Sequence, residues 1–189
     1  MLERETRYIK EEDPRYLRGL FEYPAEAKDV EYKAAVKFDE KTVSAAKLTK
    51  QILAFANSGG GCLIIGYKEQ SDGSHAPDPD LTDEIVASYD VTRLCQHIGK
   101  YLDGQDRIKM IIHKEEYAGI RYPMIRVYQF QDCPLFCTKD YISPESGDTI
   151  LELGKVYIRT EEARIRVAAT VEELSEWRQL ITVITKAVR

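Results

Sequence analysis

The sequence predicts a single α+β domain, a mixed sheet packed with amphipathic helices. Three observations carry this reading: a two-fold alternation from Val30 to Phe38, a helical apolar period from about residue 42 to 57, and two alternating segments, KVYIRT and ARIRVAA, ahead of a capped C-terminal helix pattern. Helix and strand patterns are interspersed and no internal repeat interrupts them, which suits one mixed domain. At 189 residues the chain is long enough to bury a core without disulfides or metals.

Residues 1–13 are charged throughout, lack an apolar period and read as an N-terminal arm; residues 14–189 form the domain. In the first strand, Val30, Tyr32, Ala34, Val36 and Phe38 share one face, while Glu31, Lys33, Ala35 and Lys37 share the other. A half-buried strand with a charged solvent face is expected. Ala45, Leu48, Ile52, Phe55 and Ala56 set the following helix against the core. Asn57-Ser58-Gly59-Gly60-Gly61 ends it, because Asn and Gly tolerate the left-handed conformation that closes a helix, and CLIIGY then has the character of a buried strand.

A polar loop over residues 70–82 leads into a second amphipathic helix carrying Ile85, Val86, Leu94, Ile98 and Leu102. Arg107 to His113 and Arg121 to Phe130 read as a hairpin turning between Glu115 and Gly119. In the C-terminal hairpin, pairing Thr160 with Ala163 sets Ile158 opposite Ile165 and Val156 opposite Val167. Thr170 to Glu173 forms a capping box that opens a last helix with Leu174, Trp177, Ile181, Ile184 and Val188 on its apolar side.

Charge and composition narrow the function. The net charge of −5 counts against a generic polyanion binder, so any nucleic-acid contact needs cations gathered on one face. No apolar run approaches the roughly 18 residues of a membrane span, so no membrane partner is expected. The charged start has no signal-peptide centre, which points to a cytoplasmic protein. Cys62, Cys95, Cys133 and Cys137 show no zinc or redox spacing, and His75, His97 and His113 are isolated from one another.

Two constellations could carry chemistry. Glu31 lies between lysines on its strand face, and carboxylates beside lysine are what metal-assisted phosphodiester cleavage uses: the acids hold a divalent ion while lysine offsets charge on the phosphate. A solvated face of paired charges is the alternative. Glu26 lies five positions earlier, a spacing that neither helix nor strand brings to one side, so the two acids converge only across a bend. Pro24 and the AEAK segment suggest a turn of helix there. Glu69, just past the buried strand, is a candidate third ligand, with Asp72 as its substitute. On the C-terminal hairpin, the apolar register places Arg159 opposite Arg164 and Tyr157 opposite Arg166. These arginines could hold phosphates while the ring stacks on a base, unless Glu161 and Glu162 neutralise them. The glycine run is no phosphate loop, since it follows a helix, precedes a strand and lacks Gly-Lys-Ser/Thr.

Glu26-Ala-Lys-Asp-Val-Glu31-Tyr32-Lys33, Ala54-Phe55-Ala56-Asn57-Ser58 with Gly60-Gly61, and Leu63-Ile64-Ile65-Gly66 together resemble the Schlafen AlbA-type domain family. Val156-Tyr157-Ile158-Arg159 and the Ala168-Ala169-Thr170 entry to the last helix extend the likeness to roughly Tyr23 through Leu180. Family members are described as nucleic-acid-binding domains, and Schlafen proteins include RNases that cleave tRNA-like substrates with three acidic residues and a divalent metal. The resemblance therefore implies Glu26, Glu31 and Glu69 as metal ligands for Mg or Mn, Lys33 as their catalytic companion, and no nucleotide cofactor. Lys33, Lys37, Tyr157, Arg159, Arg164 and Arg166 are the expected nucleic-acid contacts, with RNA favoured over DNA. This chain departs from the family at Tyr67, where a small aliphatic residue is usual, and at Glu161-Glu162, where relatives often carry a glycine-containing turn. The leading expectation is a metal-dependent endonuclease acting on structured RNA. Its alternatives are a non-catalytic DNA- or RNA-binding regulatory module and a protein-interaction subunit. A single such unit suggests a homodimer, with the apolar stripe of Trp177 serving either that contact or core packing.

Overall fold

The computed structural model describes residues 14–102, 108–131 and 133–168. The charged arm, Arg107 and the last helix with Trp177 lie outside the described residues. The described elements run α1 (Pro14–Glu22), β1 (Val30–Lys33), α2 (Val43–Asn57), β2 (Gly61–Ile65), β3 (Tyr67–Glu69), β4 (His75–Pro77), α3 (Asp83–Ser88), α4 (Val91–Gly99), β5 (Met110–Tyr117), β6 (Ile120–Val127), β7 (Tyr141–Ile142), β8 (Thr149–Leu151), β9 (Tyr157–Arg159) and β10 (Ile165–Val167). No helix among them is long and apolar enough to cross a membrane.

Apolar and central, β2 sits inside a four-stranded sheet of order β1-β2-β6-β5. It pairs parallel with β1, setting Glu31 beside Leu63, and antiparallel with β6. Successive β2 residues serve opposite faces. Leu63 and Ile65 join a core with Phe55 and Ile52 of α2, whereas Ile64 joins Phe21 of α1, Tyr32, Tyr67 and Tyr122. The sheet is therefore covered on both sides, and this corrects the expected solvent face of β1: Glu31 is only 5% exposed. The strand is also shorter than the alternation suggested. Past Lys33 the chain leaves the sheet because side chains capture its backbone: Ala35 N–H donates to Asp78 Oδ2 at 2.8 Å and Phe38 N–H to Ser88 Oγ at 2.9 Å.

Helix α2 matches its apolar period and begins at Thr42, whose side chain accepts from Ala45 N. Its end is fixed by Asn57, which donates from Nδ2 to Leu135 O (2.8 Å) and Tyr157 O (3.0 Å) and accepts from Leu135 N–H (2.8 Å). Gly60 follows at φ +89°, where a Cβ would stand 2.7 Å from Val127 O, so only glycine lets the chain pass β6 this closely.

Three other expectations are corrected. The polar loop contains β4, paired antiparallel with β3 and closed by Gln70 N–H donating to Ser74 O at 2.7 Å. The second amphipathic helix is two helices, because Tyr89 is extended and Asp90 caps α4 by accepting from Arg93 N–H at 2.9 Å. The β5–β6 ladder runs on to Tyr117 and Ile120, leaving only Ala118 and Gly119 in the turn, both at positive φ. In the C-terminal hairpin the register differs by one residue: Arg159 pairs with Ile165, Ile158 with Arg166 and Tyr157 with Val167. The slip arises because Ala163 takes φ +59° and Thr160 N–H donates to Arg164 O at 2.8 Å, making a three-residue loop.

Asn57→Ala is expected to destabilise the domain by about 2 kcal/mol or more, since it strands buried backbone groups of two distant segments. The midpoint of urea unfolding measures it.

Candidate nucleic-acid interface

The bend that the two acids require is a tight turn rather than a turn of helix. Ala27 N–H donates to Val30 O at 3.0 Å and Val30 N–H to Ala27 O at 3.2 Å, an antiparallel bridge. With Ala27 opposite Val30, Glu26 comes opposite Glu31. Arg159 of β9 holds this turn from the far end of the chain. Its Nε donates to Lys28 O (2.8 Å), its NH1 to Glu31 Oε2 (2.7 Å), and its NH2 to Ala27 O (2.9 Å) and Val30 O (3.2 Å). The guanidinium stacks 4.6 Å from the Phe55 ring centroid, and the Arg159 N–H donates to Ser58 Oγ at 2.8 Å. The Arg159 side chain is 0% exposed. It is a structural arginine, and the expected phosphate contact there is overturned.

Tyr157 is likewise buried, its ring beneath Lys50 Nζ at 4.9 Å and its hydroxyl accepting from Glu152 N–H, so it offers no face to a base. Arg164, just before β10, and Arg166 on it are exposed, away from Arg159 because of the register slip. Glu161 pairs with Lys28 at 2.5 Å rather than with these arginines, whereas Glu162, its carboxyl held below the ordinary range first by a hydrogen bond with Thr160, also feels the charges of Arg164 and Arg166.

The carboxylates are distributed unevenly. Glu31 gives one oxygen to Arg159 and the other to Lys33. Glu26 is more open, with His75 Nε2 at 3.6 Å. Burial pushes the Glu26 carboxyl above its ordinary range and the Glu31 charge adds to this, while Lys33, His75 and Arg159 pull it down. His75 was missed as a neighbour of this pair; it arrives through β4, and the Asp72-Gly73 turn signal was the clue to that hairpin. Glu69 is exposed on β3 and Asp72 is spent on the turn, accepting from Ser74 N–H (2.9 Å) and Ser74 Oγ (2.6 Å). Among the described residues, no three Asp, Glu, His or Cys side chains are grouped to hold a metal. With both Glu31 oxygens committed to cations, the set Glu26, Glu31 and Glu69 does not fit Mg or Mn as arranged.

Cations gather instead beside α2. A groove of about 430 Å³ is lined by Lys33 and Lys37 from the β1 end, Lys47 and Lys50 from α2, and no carboxylate, over an apolar floor that includes Phe38, Leu48, Ile65 and Tyr89. Ser44, Lys47, Leu48 and Gln51 line it because positions i, i+3, i+4 and i+7 share a helix face. Lys33 and Lys37 were expected contacts. Lys47 and Lys50 were missed, although their helix face was visible in the spacing that placed α2. Lys37 currently pairs with the exposed Glu84 at 2.5 Å, an exchangeable surface contact.

A family model described as Schlafen, AlbA_2 matches residues 26–168, from the first acid of the turn to the end of the C-terminal hairpin. The chain belongs to the Schlafen AlbA_2 family. No curated protein matches it. Among solved structures, the DIP2311 protein from Corynebacterium diphtheriae shares the fold of this AlbA_2 domain at a TM-score of 0.54 and 16% identity, over 90% of this chain. The match spans only 29% of the DIP2311 chain. The N-terminal domain of a RecG-related protein from Nitrosomonas europaea aligns at a TM-score of 0.40 and 20% identity, over 65% of this chain and 78% of that one.

Within the AlbA_2 domain, Arg159→Ala is expected to lower stability by about 3–5 kcal/mol, because Glu31 and three carbonyls lose a buried cation. Arg159→Lys should recover little, since one ammonium cannot replace the planar fork. Urea unfolding of both variants decides this. For Glu26 the sign follows from its raised carboxyl: the folded state binds more protons than the unfolded one between the ordinary 4.5 and the raised value, so stability falls as pH rises through that window. Glu26→Gln should therefore raise the melting temperature at pH 7, and the gain should vanish below pH 4.5.

Proposed function

We propose that this domain is a nucleic-acid-binding module whose principal contact surface is the lysine-lined groove beside α2. The observation that carries the reading is the convergence of Lys33, Lys37, Lys47 and Lys50 on one groove without a lining carboxylate, in a chain of net charge −5. Family membership supports the same reading. Ile165 of β10 also lines the groove, so Arg164 and Arg166 on the outer side of that strand extend the cationic surface as peripheral contacts. RNA is the favoured partner, and single-stranded DNA is the comparison.

Metal-dependent cleavage of structured RNA is the less favoured reading, because Arg159 and Lys33 occupy the Glu31 carboxylate. With tRNA and Mg²⁺ or Mn²⁺ the protein is expected to bind without cutting. Cleavage that disappears in Glu26→Ala/Glu31→Ala would establish instead that the acidic pair opens to accept a metal.

Binding is tested by fluorescence anisotropy with labelled tRNA, single-stranded RNA and single-stranded DNA across a salt series. Affinity should fall steeply with salt, and Lys47→Ala/Lys50→Ala should weaken all three ligands while lowering the magnitude of the salt slope by about 1–2. Arg164→Ala/Arg166→Ala should do less. Salt-insensitive affinity, or loss only in the arginine variant, would move the interface elsewhere.

A further inference from the structure

The groove holds more than charge. Gln51 lines it at 5% exposure, and its Nε2 has no hydrogen-bond partner among the described residues. A buried amide left unpaired is destabilising by roughly 1–3 kcal/mol, so such a group calls for a partner that the described residues do not supply. Rotation about the terminal bond exchanges the amide nitrogen and oxygen, so the side chain can offer a donor or an acceptor to an occupant. Nearby, Phe38 and Tyr89 form an aromatic pair with ring centroids 6.1 Å apart, and both line the same groove. The Tyr89 hydroxyl is tied to Val36 O at 2.7 Å, which fixes its ring.

Resting on the nucleic-acid-binding reading, we propose that this groove is a pocket for a single unstacked nucleobase of a single strand, read at its edge by Gln51 and flanked by phosphates on the lysines. The volume of about 430 Å³ lies within the range, roughly 300–1,000 Å³, of small-ligand pockets. An apolar floor to which the largely buried Phe38 and Tyr89 contribute, unlike Tyr157, which does not line the groove, matches with its one carboxamide a planar heterocycle that carries hydrogen-bonding groups on its edge. The lysine rim without carboxylates matches an anionic backbone on either side of that base. A duplex keeps its bases stacked and delivers one only at an unstacking cost, so single strands and loops are the ligands this pocket selects.

The test compares fluorescein-labelled single strands of about ten nucleotides, one for each base, with a fully abasic strand of equal length and charge. Base-containing strands should bind the wild-type protein about tenfold more tightly than the abasic strand, with unequal affinities among the bases. Gln51→Leu and Gln51→Met should remove the inequality among bases while leaving abasic-strand affinity and its salt slope unchanged. Equal, salt-dependent binding of base-containing and abasic strands would overturn the pocket and leave the nucleic-acid module intact. Absence of binding to every strand and to tRNA at low salt would overturn both. Base discrimination that survives in both Gln51 variants would remove Gln51 from recognition and so overturn the inference.

Discussion

The buried guanidinium of Arg159 is the interaction on which the rest of this arrangement depends. Four hydrogen bonds from one side chain reach Lys28 O, Glu31, Ala27 O and Val30 O, so a segment 128 or more positions away in sequence holds the turn that opens the domain. The same residue rests on Phe55 and takes Ser58 Oγ through its backbone, which binds the end of α2 into the same knot. The Ala54 to Gly66 block therefore has a physical purpose beyond making a strand. Phe55, Asn57 and Ser58 together position β9, and Gly61 lets the chain begin β2 with the Phe55 ring only 2.1 Å from where a Cβ would stand.

This knot decides the electrostatics around it. A buried carboxylate is tolerated only when paired and hydrogen-bonded, and Glu31 meets that condition by accepting from two cations. Its charge is thereby spent inside the fold. Glu26, left without an equivalent arginine, shows the consequence in its raised carboxyl. Acidic residues are thus absorbed by the turn while the lysines of α2 face a groove without them. That segregation lets an acidic chain present a cationic site.

The parts of this design that rest on local pattern were legible in the sequence. The apolar period of α2, the buried character of β2 and the existence of the β5–β6 and β9–β10 hairpins depend on neighbouring residues, and each was readable from spacing. Glu31 was misplaced because alternation reports which residues share a face and says nothing about whether a distant strand covers that face. The hairpin register failed on one residue: Ala163 adopts a left-handed conformation that its side chain does not advertise. The missed break between α3 and α4 was more avoidable, since Asp90 stands three residues before Arg93 in an ordinary capping position. Of the groove's lysines, Lys33 and Lys37 were visible as neighbouring charges in the alternation, although the strand ends at Lys33, whereas the positions of His75 and Gln51 follow only from tertiary contacts.

Lys33 is where the two halves of the site meet. It donates to the buried Glu31 and also lines the groove, with its own side chain 47% exposed against 7% for its partner. A phosphate entering the groove would compete for this ammonium at modest cost, because a half-exposed lysine exchanges partners readily in water. Glu31 would then depend on Arg159 alone for charge compensation. Arg159 is fully shielded and held by three carbonyls as well as by Glu31, so its position does not depend on Lys33. The turn is therefore held by Arg159 independently of Lys33, the one cation that the acidic pair and the groove share.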